Sequence, residues 1–306
     1  MDANAASDFY RRVETLHLHP GWRGDRPDNG LAMHEFKPAL WRWSDARPAL
    51  DEAARVVSTE QAERRNLALL NRSSGVTLPA AKNFVAAYQM VLAGEKARSH
   101  RHAAAALRLV VDTKPGVYTI VNGERLDMLP GDVVLTPAFC WHGHANDSEA
   151  SAYWIDFLDV PFVAANHAMT FEPYPEPIEP VRRADPASPY RIPPAKVFNR
   201  ERTSGVVEIA RGIMPTIGLY LIRHQAGARM ELSNSVVGNL YSPTSGRARF
   251  IVDGVMDETI GPGDILSVPA RHAHRMEALE ADTTVLRVSD EPLLARLGLF
   301  HSAALN

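Results

Sequence analysis

The chain repeats itself, and the repeat limits what it can fold into. IGLYLIRHQAGARMELSNSV in the second half answers AAYQMVLAGEKARSHRHA in the first, and IVDGVMDETIGPGDILSVPARHAH answers IVNGERLDMLPGDVVLTPAFCWH. VLRVSDEPLL likewise answers WIDFLDVPFV. The offset is 133 residues from Gly94 to Gly227, 132 from Gly131 to Gly263 and from Pro137 to Pro269, and 131 from Pro161 to Pro292. An offset that drifts only by small loop deletions is the mark of a duplicated domain. The repeated unit is β: FVAAYQMVLA, LRLVV, VYTIV, DVVLTP and AYWIDFL are short runs broken by Gly, Pro, Asn and Asp, with a hairpin signal at Asn122–Gly123. Many short strands without intervening helices predict a sandwich or barrel such as a jelly roll.

The fold class expected is therefore mainly β, two similar barrels behind a partly helical N-terminal arm. The boundaries read as an arm over 1–80, a first barrel over 81–170, a Pro-rich connection over 171–200 and a second barrel over 201–306. In the arm, KPALWRWSDARPALDEAARVVSTEQAERRNLALLN predicts a turn and two helical segments, with Ser44 and Ser58 as N-caps and a capping box from Ser58 to Gln61. The second helix runs through Ala62 and Leu67 to Leu70. The prolines of FEPYPEPIEP, ADPASPY and IPP exclude a central strand or long helix there. A net charge of −3 gives no reason to expect nucleic-acid or membrane-surface partners, and no run is apolar enough to span a bilayer. The single cysteine, Cys140, excludes an internal disulfide framework and fits a reducing, cytoplasmic setting.

Comparing the two copies separates what the fold needs from what the chemistry needs. Turn residues persist: Gly94/Gly227, Gly123/Gly254 and the PGD at 130–132 and 262–264. The histidines do not. His100 and His102 align with Ser233 and Ser235, and Arg108 aligns with Tyr241; only His142 keeps a counterpart, His274. Residues i and i+2 of a strand share a face, so His100 and His102 converge, and His142 on a later strand closes a three-nitrogen set around a metal. The second copy is expected to be metal-free. His17 and His19 are also two apart, but no metal-site context follows them and they read as a strand or loop end. Arg108, six residues after His102, shares its face if the strand runs without a bulge, and a guanidinium within ALRLVV calls for an anionic partner. His144 shares the face of His142. Asp156, in an apolar strand, is expected to orient a histidine or to hydrogen-bond within the site.

GEKARSHRH, ALR, NGERLDMLPGDVVLTP, WHGH and YWIDFLDVP carry the cupin pattern and resemble gentisate 1,2-dioxygenase and the related salicylate 1,2-dioxygenases. KPALWRW, EQAERRNLALLN and SDEPLLARLGLF extend the resemblance from about residue 36 to the C-terminal end. It implies a bicupin that holds Fe(II) through His100, His102 and His142 and cleaves an ortho-hydroxybenzoate ring, with O2, between the carboxyl-bearing and hydroxyl-bearing carbons. It further implies that Arg108 binds the substrate carboxylate, that His144 gives or takes a proton, and that Gln89 lines the pocket. One of Arg64 and Arg65 would reach the substrate, and the enzyme would be a homotetramer. Departures are visible: the usual cupin glutamate is absent, AAAALR follows the histidine pair, CWHGH stands for TWHDH, and Val85 replaces an aromatic residue of some relatives. They point to a pocket of altered shape, suited to gentisate or a substituted salicylate. Two other readings stay open at this point: a non-oxygenase metal cupin, either isomerase or decarboxylase, and a small-molecule-sensing bicupin.

Overall fold

The computed structural model describes residues 7, 10–13, 15–16, 36–58, 64–75, 79–199, 203–232 and 236–299. The chain divides into two compact units, 1–35 and 36–306; in the first, residues 10–13 are helical. His17, His19, Gln61, Ala62, Ser233 and Ser235 lie outside the described residues.

The second unit is two copies of a two-sheet β architecture, as the repeat requires. In the first copy a six-stranded sheet runs in the order Arg191–Ile192, Val133–Thr136, Ala106–Asp112, Ala152–Leu158, Val85–Val91, Arg65–Ala68. It faces a five-stranded sheet ordered Phe171–Pro173, Lys96–His102, His142–Asn146, Val117–Val121, Glu124–Asp127. The second copy repeats this with six strands and four.

The large sheets of the two copies bury one face against each other. Tyr88, Met90, Leu107, Leu109, Ile155 and Phe157 of the first share a core with Leu219, Leu221, Leu240, Leu286 and Val288 of the second. The alternate residues of the same strands, among them Val91, Val110 and Trp154, point inward to the first copy's own core. A sheet buried on both faces has near-continuous apolar strands, so the polar residues within them stand out. Gln89, Arg108 and Asp156 lie in register with or next to the inward set and mark the interior.

Each copy lends the other an edge strand. Ala39–Trp41, ahead of the first copy, pairs with Ile265–Val268 of the second, and Arg191–Ile192, ahead of the second, pairs with Val133–Val134 of the first. The helix Trp43–Val56 is held the same way: Arg42, not Ser44, stands at its N-cap without a side-chain bond, and the Trp43 N–H donates to Asp264 Oδ1 at 2.9 Å. The cap therefore comes from the second copy's PGD turn. Gly263 of that turn has a φ of +89°, and a Cβ there would lie 2.6 Å from the Trp43 ring. The predicted second helix is corrected: Arg65–Ala68 is a strand that pairs with Val85–Val91. Edge pairing overrides its helical spacing.

Buried Tyr88 ties the copies together, its hydroxyl donating to the Gly263 carbonyl at 2.7 Å. Replacing Tyr88 with Phe leaves that carbonyl without its donor and should cost about 1–2 kcal/mol, read as a lower urea midpoint at unchanged slope.

Candidate metal centre

His100 and His102 end the strand Lys96–His102, and His142 opens the strand His142–Asn146 beside it. The pairing runs Lys96 with Ala145 and Ala97 with His144, then shifts so that His100 faces His142. One extra residue is taken up between Ala97 and His100, a bulge that re-aims the side chains beyond it. The three imidazoles converge: their ligand atoms lie within 4.8 Å of one another, and the His100 and His142 ring centroids are 4.4 Å apart. The second copy has no such shift, and His274 faces Leu232. By register the counterpart of His100 is thus Leu232, which corrects the sequence alignment to Ser233.

Backbone carbonyls fix the tautomer of all three. The Nδ1 atoms of His100, His102 and His142 bond to the carbonyls of Arg98 at 3.1 Å, Ala104 at 2.7 Å and Cys140 at 3.0 Å. A carbonyl only accepts, so each Nδ1 carries the proton and each Nε2 keeps its lone pair. The buried His142 Nε2 has no hydrogen-bond partner. Burial, aided by the Arg64 charge, pushes His100 down to about 4. Burial and then the Arg108 charge hold His142 and His144 well below the usual histidine range. Three neutral nitrogens with aligned lone pairs fit a divalent transition metal and leave further coordination positions open.

Beside this set the interior face of the large sheet is charged. Arg108 is buried, and its Nη1 donates to Thr136 Oγ1 at 2.5 Å. Its Nε lies 3.4 Å from Asp156 Oδ1, its register partner on the next strand, too poorly aligned for a hydrogen bond. The anionic partner expected for Arg108 is therefore present in the chain itself. Asp156 Oδ1 accepts the Trp154 Nε1–H at 2.9 Å and pairs with Arg108, so of its two expected roles the structure has the hydrogen bond within the interior and not a bond to a histidine among the described residues. His144 stacks near Trp154, centroids 5.1 Å apart, and neither of its ring nitrogens has a partner. Gln89 sits opposite Trp154, its buried Oε1 also without a partner.

The two arginines of the arm separate by strand alternation. Arg65 is in register with Met90, on the face turned to the second copy, and both Glu95 oxygens lie 2.8 Å from its Nη1. It is placed away from the histidines, so of the two arginines only Arg64 is on their side. Arg64 falls on the other face; its charge bears on His100, His102, His144 and Arg108, and its buried Nη1 has no partner.

Two neighbours were not foreseen. Trp154 is two residues from Asp156, so strand alternation alone could have placed it on the inner face. Phe171 lies in the Pro-rich span, where nothing signalled a strand; it is in register with His102 and stacks on His100 with centroids 5.0 Å apart.

The second copy fills the equivalent space. The Nδ1–H of His274 donates to the His272 carbonyl, and its Nε2 accepts a 2.7 Å bond from the hydroxyl of fully buried Tyr241. The lone pair that His142 leaves free is used.

Residues 87–158 match the cupin domain family. A 5-aminosalicylate 1,2-dioxygenase of Comamonas is 32% identical across 98% of this chain and 92% of its own length. The chain belongs to the gentisate and salicylate 1,2-dioxygenase family of ring-cleaving enzymes. A gentisate 1,2-dioxygenase of Aquipseudomonas alcaligenes is 36% identical over 58% of this chain and 51% of its own. The crystal structure of a salicylate 1,2-dioxygenase from Pseudaminobacter salicylatoxidans superposes with a TM-score of 0.80 at 23% identity, covering 98% of each chain, and shows the same bicupin fold.

Two consequences of this dioxygenase's charge layout are measurable. Asp156→Ala leaves the Arg108 guanidinium buried without its anion and should lower stability by about 3–5 kcal/mol; chemical denaturation of the single and of the Arg108→Ala/Asp156→Ala double variant separates that cost from lost packing. The histidines give a pH signature. In the unfolded chain they titrate near 6.5, in the fold lower, with His100 at about 4. Between those values the unfolded state binds more protons, so stability of the chelator-treated protein is full above about pH 6.5 and falls as pH drops toward 4. A His100→Gln variant should show a shallower fall of its urea midpoint over the same window.

Proposed function

We propose that this protein is an Fe(II)-dependent dioxygenase whose substrate is an ortho-hydroxybenzoate carrying a polar group at ring position 5, gentisate or a 5-substituted salicylate. The ring would open between the carboxyl-bearing and hydroxyl-bearing carbons. The observation that carries this reading is the convergence of three Nε2 lone pairs, tautomers fixed, beside the half-buried Arg64, whose buried Nη1 has no hydrogen-bond partner among the described residues. His100, His102 and His142 would hold the metal. Bound there, Fe(II) supplies the one-electron chemistry that lets dioxygen react with a closed-shell ring. The substrate classes named by the relatives, 5-aminosalicylate and gentisate, agree with this charge pattern.

The residues divide the remaining work. Arg64 and Arg108 against Asp156 leave one net positive charge, which suits a substrate with a carboxylate and an ortho phenolate. Arg64, with its Nη1 unpaired, takes the carboxylate most readily; Arg108, already braced by Thr136 and Asp156, presents a fixed fork. His144, neutral and free at both nitrogens, takes the phenolic proton and returns it to the ring-opened product. The Gln89 carbonyl oxygen accepts from a ring hydroxyl or amino group, and Phe171 walls the approach past His100. Both atoms of O2 end in the product, so no external reductant is consumed.

In the same reading metal binding belongs to 81–170, and the barrel of 201–306 is metal-free, supported by the Tyr241–His274 bond. We place the enzyme in the cytoplasm as a homotetramer, on the strength of its single free cysteine and of the resemblance. No described helix is long and apolar enough to cross a membrane.

Iron-loaded protein given a panel of 2-hydroxybenzoates in air should take up one O2 per ring opened and form a dienoic acid seen by its ultraviolet absorbance. His100→Ala should lose iron and turnover together, while Arg64→Ala should keep its iron and lose at least tenfold in kcat/KM. Inactivity of the loaded enzyme on every member of the panel overturns the proposal; turnover without oxygen uptake assigns a non-oxygenase metal cupin instead.

A further inference from the structure

Asp159 closes the strand Ala152–Leu158 and has no part in the chemistry above. It is buried, and both of its carboxylate oxygens are engaged. Oδ1 accepts the N–H of Ala105 at 2.8 Å, and Oδ2 accepts the hydroxyl of Thr216, a residue of the second half of the chain, at 2.5 Å. The Ala105 N–H belongs to the same peptide unit as the Ala104 carbonyl, and that carbonyl accepts the Nδ1–H of His102 at 2.7 Å. A trans peptide points its C=O and N–H in opposite directions. The groups therefore form one line: Thr216 hydroxyl, Asp159 carboxylate, peptide 104–105, His102 imidazole.

We propose that Asp159 is a positioning residue for the metal centre, fixing the His102 imidazole and strengthening it as a ligand through the Ala104–Ala105 peptide. This rests on the reading of His102 as a metal ligand. A negative charge on the N–H side polarises the amide and makes its carbonyl a stronger acceptor, as in any chain of hydrogen bonds. A stronger bond at Nδ1 puts more electron density on Nε2 and holds the ring at one angle, which is what a carboxylate does when it bonds a ligand histidine directly. Here one peptide is interposed. Thr216 completes the line, so the half of the chain without the histidine triad braces the half that has it.

The duplication supplies the control. At the equivalent place in the second copy Asp290 Oδ1 accepts the Gly238 N–H at 2.8 Å, and its Oδ2 accepts Asn83 Nδ2, from the first half, at 2.7 Å. Gly238 is 133 residues after Ala105 and Thr216 is 133 after Asn83. Among the described residues the peptide there presents its Val237 carbonyl to the Asn239 side-chain amide at 3.5 Å, not to an imidazole. The two clamps tie the halves together alike, and only one of them ends on a ligand.

The test compares full-length Asp159→Ala, Asp159→Asn and Asp290→Ala with the wild type, reading Fe(II) affinity by chelator competition and stability by thermal unfolding. Asp159→Ala should bind iron 10- to 100-fold more weakly than wild type. Asp290→Ala should lose comparable thermal stability and keep its iron affinity within about twofold. Asp159→Asn keeps an acceptor for Ala105 and a donor for Thr216 but no charge, and should fall between the two; Thr216→Val should shift affinity in the same direction by less. Equal affinity in the Asp159 and Asp290 variants, whether both weakened or neither, overturns the role of Asp159 and leaves the metal reading intact. Failure of wild-type protein to take up iron overturns both.

Discussion

An imidazole can give a metal only the nitrogen that its protein leaves unprotonated, and in this chain backbone carbonyls make that choice. His100 and His142 each donate Nδ1–H to the carbonyl two residues before them, and His102 to the carbonyl two residues after. Among the described residues no side-chain carboxylate orients any of the three by direct hydrogen bond. The centre is therefore as well placed as the main chain of the strand Lys96–His102 and of the turn before His142. The bulge ahead of His100 becomes part of the site: it shifts the register so that His100, not Ser99, stands opposite His142. Gly143 serves the same end, since a Cβ there would collide with Ser99 Oγ and lie 3.1 Å from the Ala97 carbonyl, on the strand that carries His100 and His102.

Main-chain placement of this kind needs a stiff frame, and the duplication provides one. Each half covers one face of its large sheet with the other half and lends the other an edge strand. The inner face is then shielded enough for isolated charges to matter. Arg108, Asp156 and His144 are almost fully buried, and the cost of burying an arginine is met by Asp156 across the strand and by Thr136. Among the described residues Arg64 has no such acid beside it, and its Nη1 is buried without a partner.

The repeat, the strand alternation and the histidine triad were legible in the sequence because each has a short period that the backbone enforces. The sheet buried on both faces could also be foreseen, since FVAAYQMVLA and LRLVV carry few polar residues, and Gln89 and Arg108 among them lie buried on the inner face. What escaped reading depended on partners far along the chain. The segment 65–68 has helical spacing but is taken as an edge strand by Val85–Val91. The helix from Trp43 has its first N–H capped by Asp264, more than two hundred residues away, so a search for a local cap chose Ser44. Arg64 and Arg65 could not be told apart until the register with Met90 put Arg65 on the far face. Asp156 could not be assigned between orienting a histidine and bonding within the interior because its partner, Arg108, is adjacent only in the sheet.

The two copies show how few positions separate a metal centre from a core. Arg108 corresponds to Tyr241, and Asp156, its partner in register, corresponds to Arg287, the register partner of Tyr241. With a phenol in place of the guanidinium, the surviving His274 receives a hydrogen bond on the nitrogen that would face a metal. Arg287 turns to Asn239 and Glu291 instead of holding a group in the interior. Without the bulge, His274 faces Leu232, and Tyr241 packs against Phe250 in an apolar cluster. A single change at Tyr241 would not rebuild the site, because the arginine so introduced would meet Arg287 where Arg108 meets an acid. The histidine pair, the register that aims it and an acid opposite the buried arginine occur together in the first copy and not in the second.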